Sequence, residues 1–366
     1  MSALRCVPLF SVYLLLVGCS ASTSSPKPVS AVSSTEAAAI KALQAAGAVL
    51  KTDTSGSATA VDLHGATLSA DVLKQLAELK SLNVLNLADS SFSDADLAAL
   101  ENVSLQLASL DVRGCALTNK AAKAIARFTG LRALRFSGKN GKTSIDDDGV
   151  KSLAACKSLK VLALDELSFA GSNGISALAG LNELEELYLA GTIVDDDTCK
   201  VIARFPRLKK LRLARNQVSD VALAVLSTCS RLEELDLSED SLITDAGMGH
   251  VAKLTGLKKL NLWRVQISDD GVLRLAPLTK LEWLNLDNTK LSDAGLPALK
   301  EMTSLTFLHL GSTQITAAAA PLLFHLKSLK DLKITRTALG GSDVAVSELR
   351  QYLPDTAIHT EYVESE

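Results

Sequence analysis

The chain has 366 residues, of which 47% are hydrophobic but only 4% aromatic, so its apolar content is aliphatic, and 66 residues are leucine. That share of leucine is about twice the ordinary one, while 38 basic against 41 acidic side chains leave a formal charge of −3. The balance excludes both a disordered chain and a strongly basic nucleic-acid binder, and the leucine excess points to an internal repeat.

Taken in chain order, the first segment is an address. Arg5 precedes an apolar run from Val7 to Val17 that closes as Leu16-Val17-Gly18-Cys19, before the composition turns to Ser, Ala, Thr and Pro. The run is too short to span a bilayer and has signal-peptide proportions. Its last four residues resemble the lipobox of bacterial lipoproteins. That resemblance implies cleavage before Cys19, diacylation of its thiol, and, with Ser20 next, sorting to the outer membrane of a Gram-negative cell. Ordinary signal cleavage near Ala21 is the alternative. The Ser/Ala/Pro-rich stretch that follows reads as a flexible tether.

Aligned on Leu-x-x-Leu-x-Leu, the rest of the chain places first positions at Ala58, Leu82, Leu107, Leu131, Leu159, Leu184, Leu208, Leu232, Leu257, Leu281, Leu305 and Leu329. The spacing is 24 or 25 residues throughout, except for one interval of 28 after Leu131. Within a unit, alternation around Leu284 and Leu286 predicts a short strand with Trp283, Asn285 and Asp287 facing away from the core. A turn carrying Thr289 comes next, then Ser292-Asp293, which suits a helix start, and a helical stripe through Leu296, Leu299 and Met302. The same order recurs at Ser93-Asp94, Ser219-Asp220, Thr244-Asp245 and Ser268-Asp269.

This pattern resembles the leucine-rich repeats. With Thr, Cys or Ser at the usual Asn position and with Asp-Ala-Gly-Leu phrases, it is closer to the bacterial GALA-type and F-box-associated subclasses than to the internalin type, although no F-box helices precede it. The resemblance implies an α/β solenoid, a horseshoe of about twelve repeats with a parallel concave sheet and helices on the convex side. The expected organisation is a signal peptide over 1–18, a tether over 19–35, an N-terminal helical cap over 36–57, repeats over 58–343, and a C-terminal cap with an acidic tail over 344–366. The helix-prone part of the first cap runs from Glu36 to about Leu50.

The residues that suggest chemistry are better explained by the fold. Cys115, Cys156, Cys199 and Cys229 fall on core positions and match no zinc spacing. Gly138-Lys139-Asn140-Gly141-Lys142-Thr143 lacks the earlier glycine of a phosphate loop, since that place is Phe136, and reads as the rim insertion behind the long interval. Asp146-Asp147-Asp148 and Asp195-Asp196-Asp197 sit at helix starts, which favours capping over calcium binding. The five histidines form no catalytic arrangement, so no enzyme, catalytic residue, metal or cofactor is expected.

The informative surface is the concave face. One outward column runs Glu186, Lys210, Glu234, Lys259, Trp283, Phe307, Asp331, and its neighbour runs Tyr188, Arg212, Asp236, Asn261, Asn285, His309, Lys333. The alternating charges predict a cross-strand ion ladder. In repeats nine to eleven Trp263, Trp283 and Phe307 are expected to converge, with Asn261, Asn285, Asp287 and His309 around them, and Tyr188 nearby. Tryptophan is the residue most enriched in binding hot spots, so the expected partner is a protein or peptide. A carbohydrate, or a structural envelope spacer without ligand, is the competing reading. Nucleic acid is not an expected partner, and the membrane is expected to be reached only through the lipid on Cys19.

Overall fold

The computed structural model describes residues 32–101 and 107–361, with the side chains of 98–101 left aside. The signal segment, Cys19, most of the tether and the acidic tail lie outside the described residues.

The strands are β1 (Val49–Thr52), β2 (Ala58–Asp62), β3 (Val84–Asn86), β4 (Ser109–Asp111), β5 (Ala133–Ser137), β6 (Val161–Asp165), β7 (Glu186–Tyr188), β8 (Lys210–Arg212), β9 (Glu234–Asp236), β10 (Lys259–Asn261), β11 (Trp283–Asn285), β12 (Phe307–His309), β13 (Asp331–Lys333) and β14 (Ala357–His359). They form one open sheet in sequence order. The twelve strands β2 to β13 correspond one to one with the twelve first positions found by spacing, and each pairs in parallel with the next. First positions from Ala58 to Leu329 are at most 1% exposed. One unit cannot bury its own apolar face; twelve stacked in parallel share one continuous core.

After almost every strand the chain turns through a residue in the left-handed region. Only some of these are glycine, as at Gly65, Gly114 and Gly191; Asp89, Glu166, Arg215, Glu239, Arg264, Asn288, Ser312 and Arg336 adopt the same conformation. The following position points inward and satisfies the turn. Thr192, Thr289 and Thr313 each donate a hydroxyl to the carbonyl three residues back, at 2.8, 2.8 and 2.6 Å. Cys115 donates its thiol to Leu87 O, and Asn216 donates its amide to Leu189 O and Leu213 O. The four repeat cysteines are free and buried, and burial pushes the Cys115, Cys156 and Cys229 thiols up to about 11.

The helix starts hold a feature that local reading missed. Thr244 and Asp195 cap their own helices as expected, with Thr244 Oγ1 accepting from Ala246 N and Asp195 Oδ1 from Thr198 N, whereas Ser268 makes no such bond. The aspartate one residue later does something else. Its carboxylate reaches the cap residue of the next repeat and accepts both its backbone N–H and its hydroxyl. Asp220 takes Thr244 at 2.9 and 2.5 Å, Asp245 takes Ser268 at 2.7 and 2.6 Å, and Asp269 takes Ser292 at 2.7 and 2.6 Å. Asp94, Asp196 and Asp293 do the same to Thr118, Ser219 and Thr316. The glycine of the Asp-Ala-Gly phrase makes room for it, since a Cβ on Gly247 would collide with Asp220 Oδ1.

Two helical expectations need correction. The N-terminal helix spans Ser34–Ala45 and stops there because Gly47 turns the chain at φ 89°; Leu50 belongs to β1, which pairs antiparallel with β2. Buried Glu36 ties this cap to the first repeat by accepting from Ala58 N at 3.1 Å. The stripe through Leu296 and Leu299 lies on a 3₁₀ helix, Asp293–Leu299, because Pro297 has no N–H with which to close an α-helical bond. A helix at Asp343–Tyr352 and β14 cover the other end. Among the described residues no helix is long and apolar enough to cross a membrane.

Candidate functional site

Each concave strand buries its central leucine and turns the two flanking side chains outward, so strand pairing alone sets which residues share a column. Between β6 and β10 those side chains pair with one another. Lys210 Nζ lies 3.2 Å from Glu186 and 3.4 Å from Glu234, which in turn lies 3.4 Å from Lys259. Arg212 bridges Asp165 and Asp236 at 3.2 Å each. On the rim, Arg215 contacts Glu166 and Arg264 contacts Glu239. Tyr188 belongs to this section: its hydroxyl donates to Glu186 Oε2 at 2.8 Å, and burial together with that bond pushes its pKa up.

The character changes at β11. Trp283 and Phe307, opposite each other in the parallel register, stack with centroids 4.8 Å apart and planes 5° from parallel. That separation equals the spacing of neighbouring strands, so the rings stand on edge and present their rims to the groove. His309 meets Phe307 edge-on at 6.4 Å, and Lys333 Nζ lies 5.5 Å from the same ring. Asp287 Oδ2 is 4.0 Å from His309 Nε2. Burial holds the His309 imidazole below its usual pKa, although Asp287 pulls the other way. Asn261 and Asn285 spend their side-chain oxygens on the backbone N–H groups of Trp263 and Asp287, at 3.2 and 2.9 Å.

The structure thus joins Trp283, Phe307, His309 and Asp287, but not all three large rings. Trp263 stands in a different column with the Arg264 guanidinium 5.0 Å from its ring, and no ring contact links it to Trp283 or Phe307 among the described residues. A shallow groove of about 280 Å³ runs over β7 to β11, with Tyr188 at one end and Trp283 at the other. It reaches further toward the N-terminal repeats than repeats nine to eleven. A second depression, of about 560 Å³, lies beside the insertion loop between His64, Arg113 and Lys139.

The two aspartate runs are occupied by the fold. Asp146 caps its helix through Asp148 N and Asp147 accepts from Gly171 N of the next repeat at 2.7 Å. Asp195 is held below the usual carboxylate range by the Thr198 hydroxyl. In the insertion loop, Asn140 donates to Gly114 O and Thr143 to Cys115 O, which pins the loop to the preceding repeat.

A leucine-rich-repeat family model matches residues 107–126. Among solved structures, an internalin from Listeria monocytogenes is similar over 90% of this chain and 95% of its own, with 21% identity and a TM-score of 0.62. A leucine-rich-repeat protein of Leptospira interrogans shares 19% identity over 87% of this chain and 97% of its own at a TM-score of 0.43. A plant peptide hormone receptor shares 16% over 83% of this chain and 51% of its own at 0.47. At such identities the common element is architecture: the chain folds as a leucine-rich-repeat solenoid, with an open parallel sheet on the inner side and short helices on the outer.

Proposed function

We propose that this solenoid is a non-enzymatic scaffold at a bacterial cell envelope, anchored through lipid on Cys19, that binds a protein or peptide on its concave face at repeats nine to eleven. The observation that carries the reading is the change along that face. From β6 to β10 the outward side chains neutralise one another, and from β11 they become an aromatic pair with a half-buried carboxylate and imidazole beside it. A partner docking on the first section would have to strip water from ion pairs that already have partners. On the second it meets aromatic surface with the composition of a hot spot. The Asp-Ala-Gly phrases support a reading of the repeats as closer to the GALA-type and F-box-associated subclasses than to the internalin type.

The ring geometry favours protein over sugar. A carbohydrate platform needs an open aromatic face, whereas one face of Trp283 is covered by Phe307, and Phe307 lies between Trp283 and Lys333.

Crosslinking from intact envelopes tests the binding reading, with wild type compared against a Trp263/Trp283/Phe307 triple alanine variant shown to be folded by circular dichroism. A partner captured by the first and lost by the second is the expected result; identical captures overturn it. Cys19→Ala is expected to release the protein into the soluble fraction, and unchanged membrane association would remove the lipid anchor from the reading.

A further inference from the structure

The groove over β7 to β11 has spare hydrogen-bonding capacity of one kind only. Its acceptors are spent. Glu186 takes the Tyr188 hydroxyl and Lys210, Glu234 lies between Lys210 and Lys259, and Asp236 holds Arg212 with one oxygen and Ser238 N and Oγ with the other. The donors at the Trp283 end are not. Asn261 and its register neighbour Asn285 turn their side-chain oxygens back onto the backbone N–H groups of Trp263 and Asp287. A backbone N–H can only donate, so it is the oxygen that faces it, and each amide nitrogen is left without an acceptor among the described residues. The Trp283 indole N–H likewise has no acceptor among the described residues, and Lys259, 51% exposed, shares Glu234 with Lys210.

These donors border an apolar channel. Leu211 and Leu235 line the groove between the Tyr188 ring at one end and Trp283 at the other, where Phe307 covers only the far side of the indole. Tyr188 and Trp283 stand on strands four places apart, which is about 19 Å across a sheet. A polyproline II chain rising about 3.1 Å per residue covers that distance in about six residues.

We propose that this groove receives a proline-rich segment of the bound partner in the polyproline II conformation. This rests on the concave-face reading above and names the chemistry of its occupant. The argument is charge complementarity: the free polar groups at the Trp283 end are the positive ends of N–H bonds, and a proline offers a carbonyl oxygen with no N–H of its own. An ordinary extended chain would bring N–H groups to carboxylates that already have partners and would leave some of them unpaired, which costs affinity. Pyrrolidine rings pack against Tyr188 and Trp283 and over the aliphatic stems of Lys210 and Arg212, so the ion pairs keep their partners. The segment is stiff before it binds, so it loses little freedom on docking.

The test uses the full chain in detergent solution and two seven-residue peptides blocked at both ends, one of proline pairs separated by single serines and one with alanine at every proline. Calorimetric affinities are read alongside the NMR signals of the Trp283 indole N–H and the Asn261 and Asn285 amides. The proline peptide is expected to bind about tenfold or more tightly than its alanine counterpart, with those signals shifting. The double variant Asn261→Asp/Asn285→Asp keeps the oxygen that each backbone N–H uses but turns a carboxylate oxygen outward in place of the N–H donors, and it should erase the preference. Trp283→Phe keeps a ring beside Phe307 without the indole N–H and should weaken it. Equal affinity for the two peptides, or a preference that survives both variants, overturns the proposal. An envelope partner lost in the triple alanine variant but not displaced by excess proline peptide would leave the scaffold reading standing and overturn this occupant alone.

Discussion

Lys210 on β8 sits between two glutamates at 3.2 and 3.4 Å, whereas Trp283, three strands along the same column, lies against Phe307 at 4.8 Å. The backbone beneath them is the same: a three-residue strand, a buried central leucine and parallel neighbours on both sides. Core and surface are therefore independent choices in this fold. The inward positions supply the shared core, and the outward ones of the strands are free to neutralise each other or to stay available to a partner.

The sharpest way to break the comparison is to cut beneath the surface. Leu284→Ala, under Trp283, should cost about 2–5 kcal/mol in chemical denaturation, the range of large-to-small core substitutions, and the cost should be similar for Leu211→Ala under the ion ladder. A clear difference between the two would couple surface to core.

A second prediction concerns pH and the charged section. Asp240 is fully buried in the turn after β9, where burial, with Asp236 and Glu239 adding to it, raises its pKa to about 8. One oxygen accepts from Asn216 N at 2.7 Å and the other has no partner among the described residues. A carboxyl that stays protonated in the folded state but ionises on unfolding leaves stability intact below about pH 4, the unfolded value, and lowers it progressively as pH rises toward 8. Asp240→Asn supplies the amide that Asn216 already carries one repeat earlier. It should gain on the order of a few kcal/mol at pH 9 and almost nothing at pH 4. A wild-type melting temperature that is flat between those pH values would remove Asp240 from this role.

Arg212→Ala should cost roughly 1 kcal/mol or less, because its partners remain partly hydrated. The loss should shrink in 1 M salt, with Asp165, already pushed up by burial, titrating higher still. Smallest in stability and largest in binding is Trp283→Ala. Its melting shift should correspond to about 1 kcal/mol or less from the lost stack, while capture of the partner disappears; a loss of several kcal/mol would place the ring in the core.

Most of the fold was legible because its cause is local and repeated. Leu82, Leu107 and their successors occur every 24 or 25 residues, and each answers to one buried place. The ion ladder was legible for the same reason, since register follows from the spacing. Three things were not. Eight of the left-handed turn residues are not glycine, and of these only Asp89 and Asn288 are of types that favour the conformation. Asp220 looked like a residue serving the dipole of its own helix, but its partner Thr244 lies a whole repeat away. Trp263 and Trp283 looked convergent because both are concave, yet they stand in columns separated by that of Asn261 and Asn285.

The aspartate links also have an order in time. Each carboxylate belongs to the earlier repeat and each hydrogen donor to the later one, from Asp94 and Thr118 through to Asp293 and Thr316. A chain synthesised from its N-terminus folds its early part first. Where these links occur, the newly made repeat arrives at a carboxylate already held in place by the repeat before it, as a monomer adds to the growing end of a polymer; at Asn119 and Ser172 the earlier repeat instead donates, to Asp146 and Asp195 of the later one. At Ala70 and Ala317, where the position carries no polar side chain, the repeat that follows arrives at an end without that acceptor.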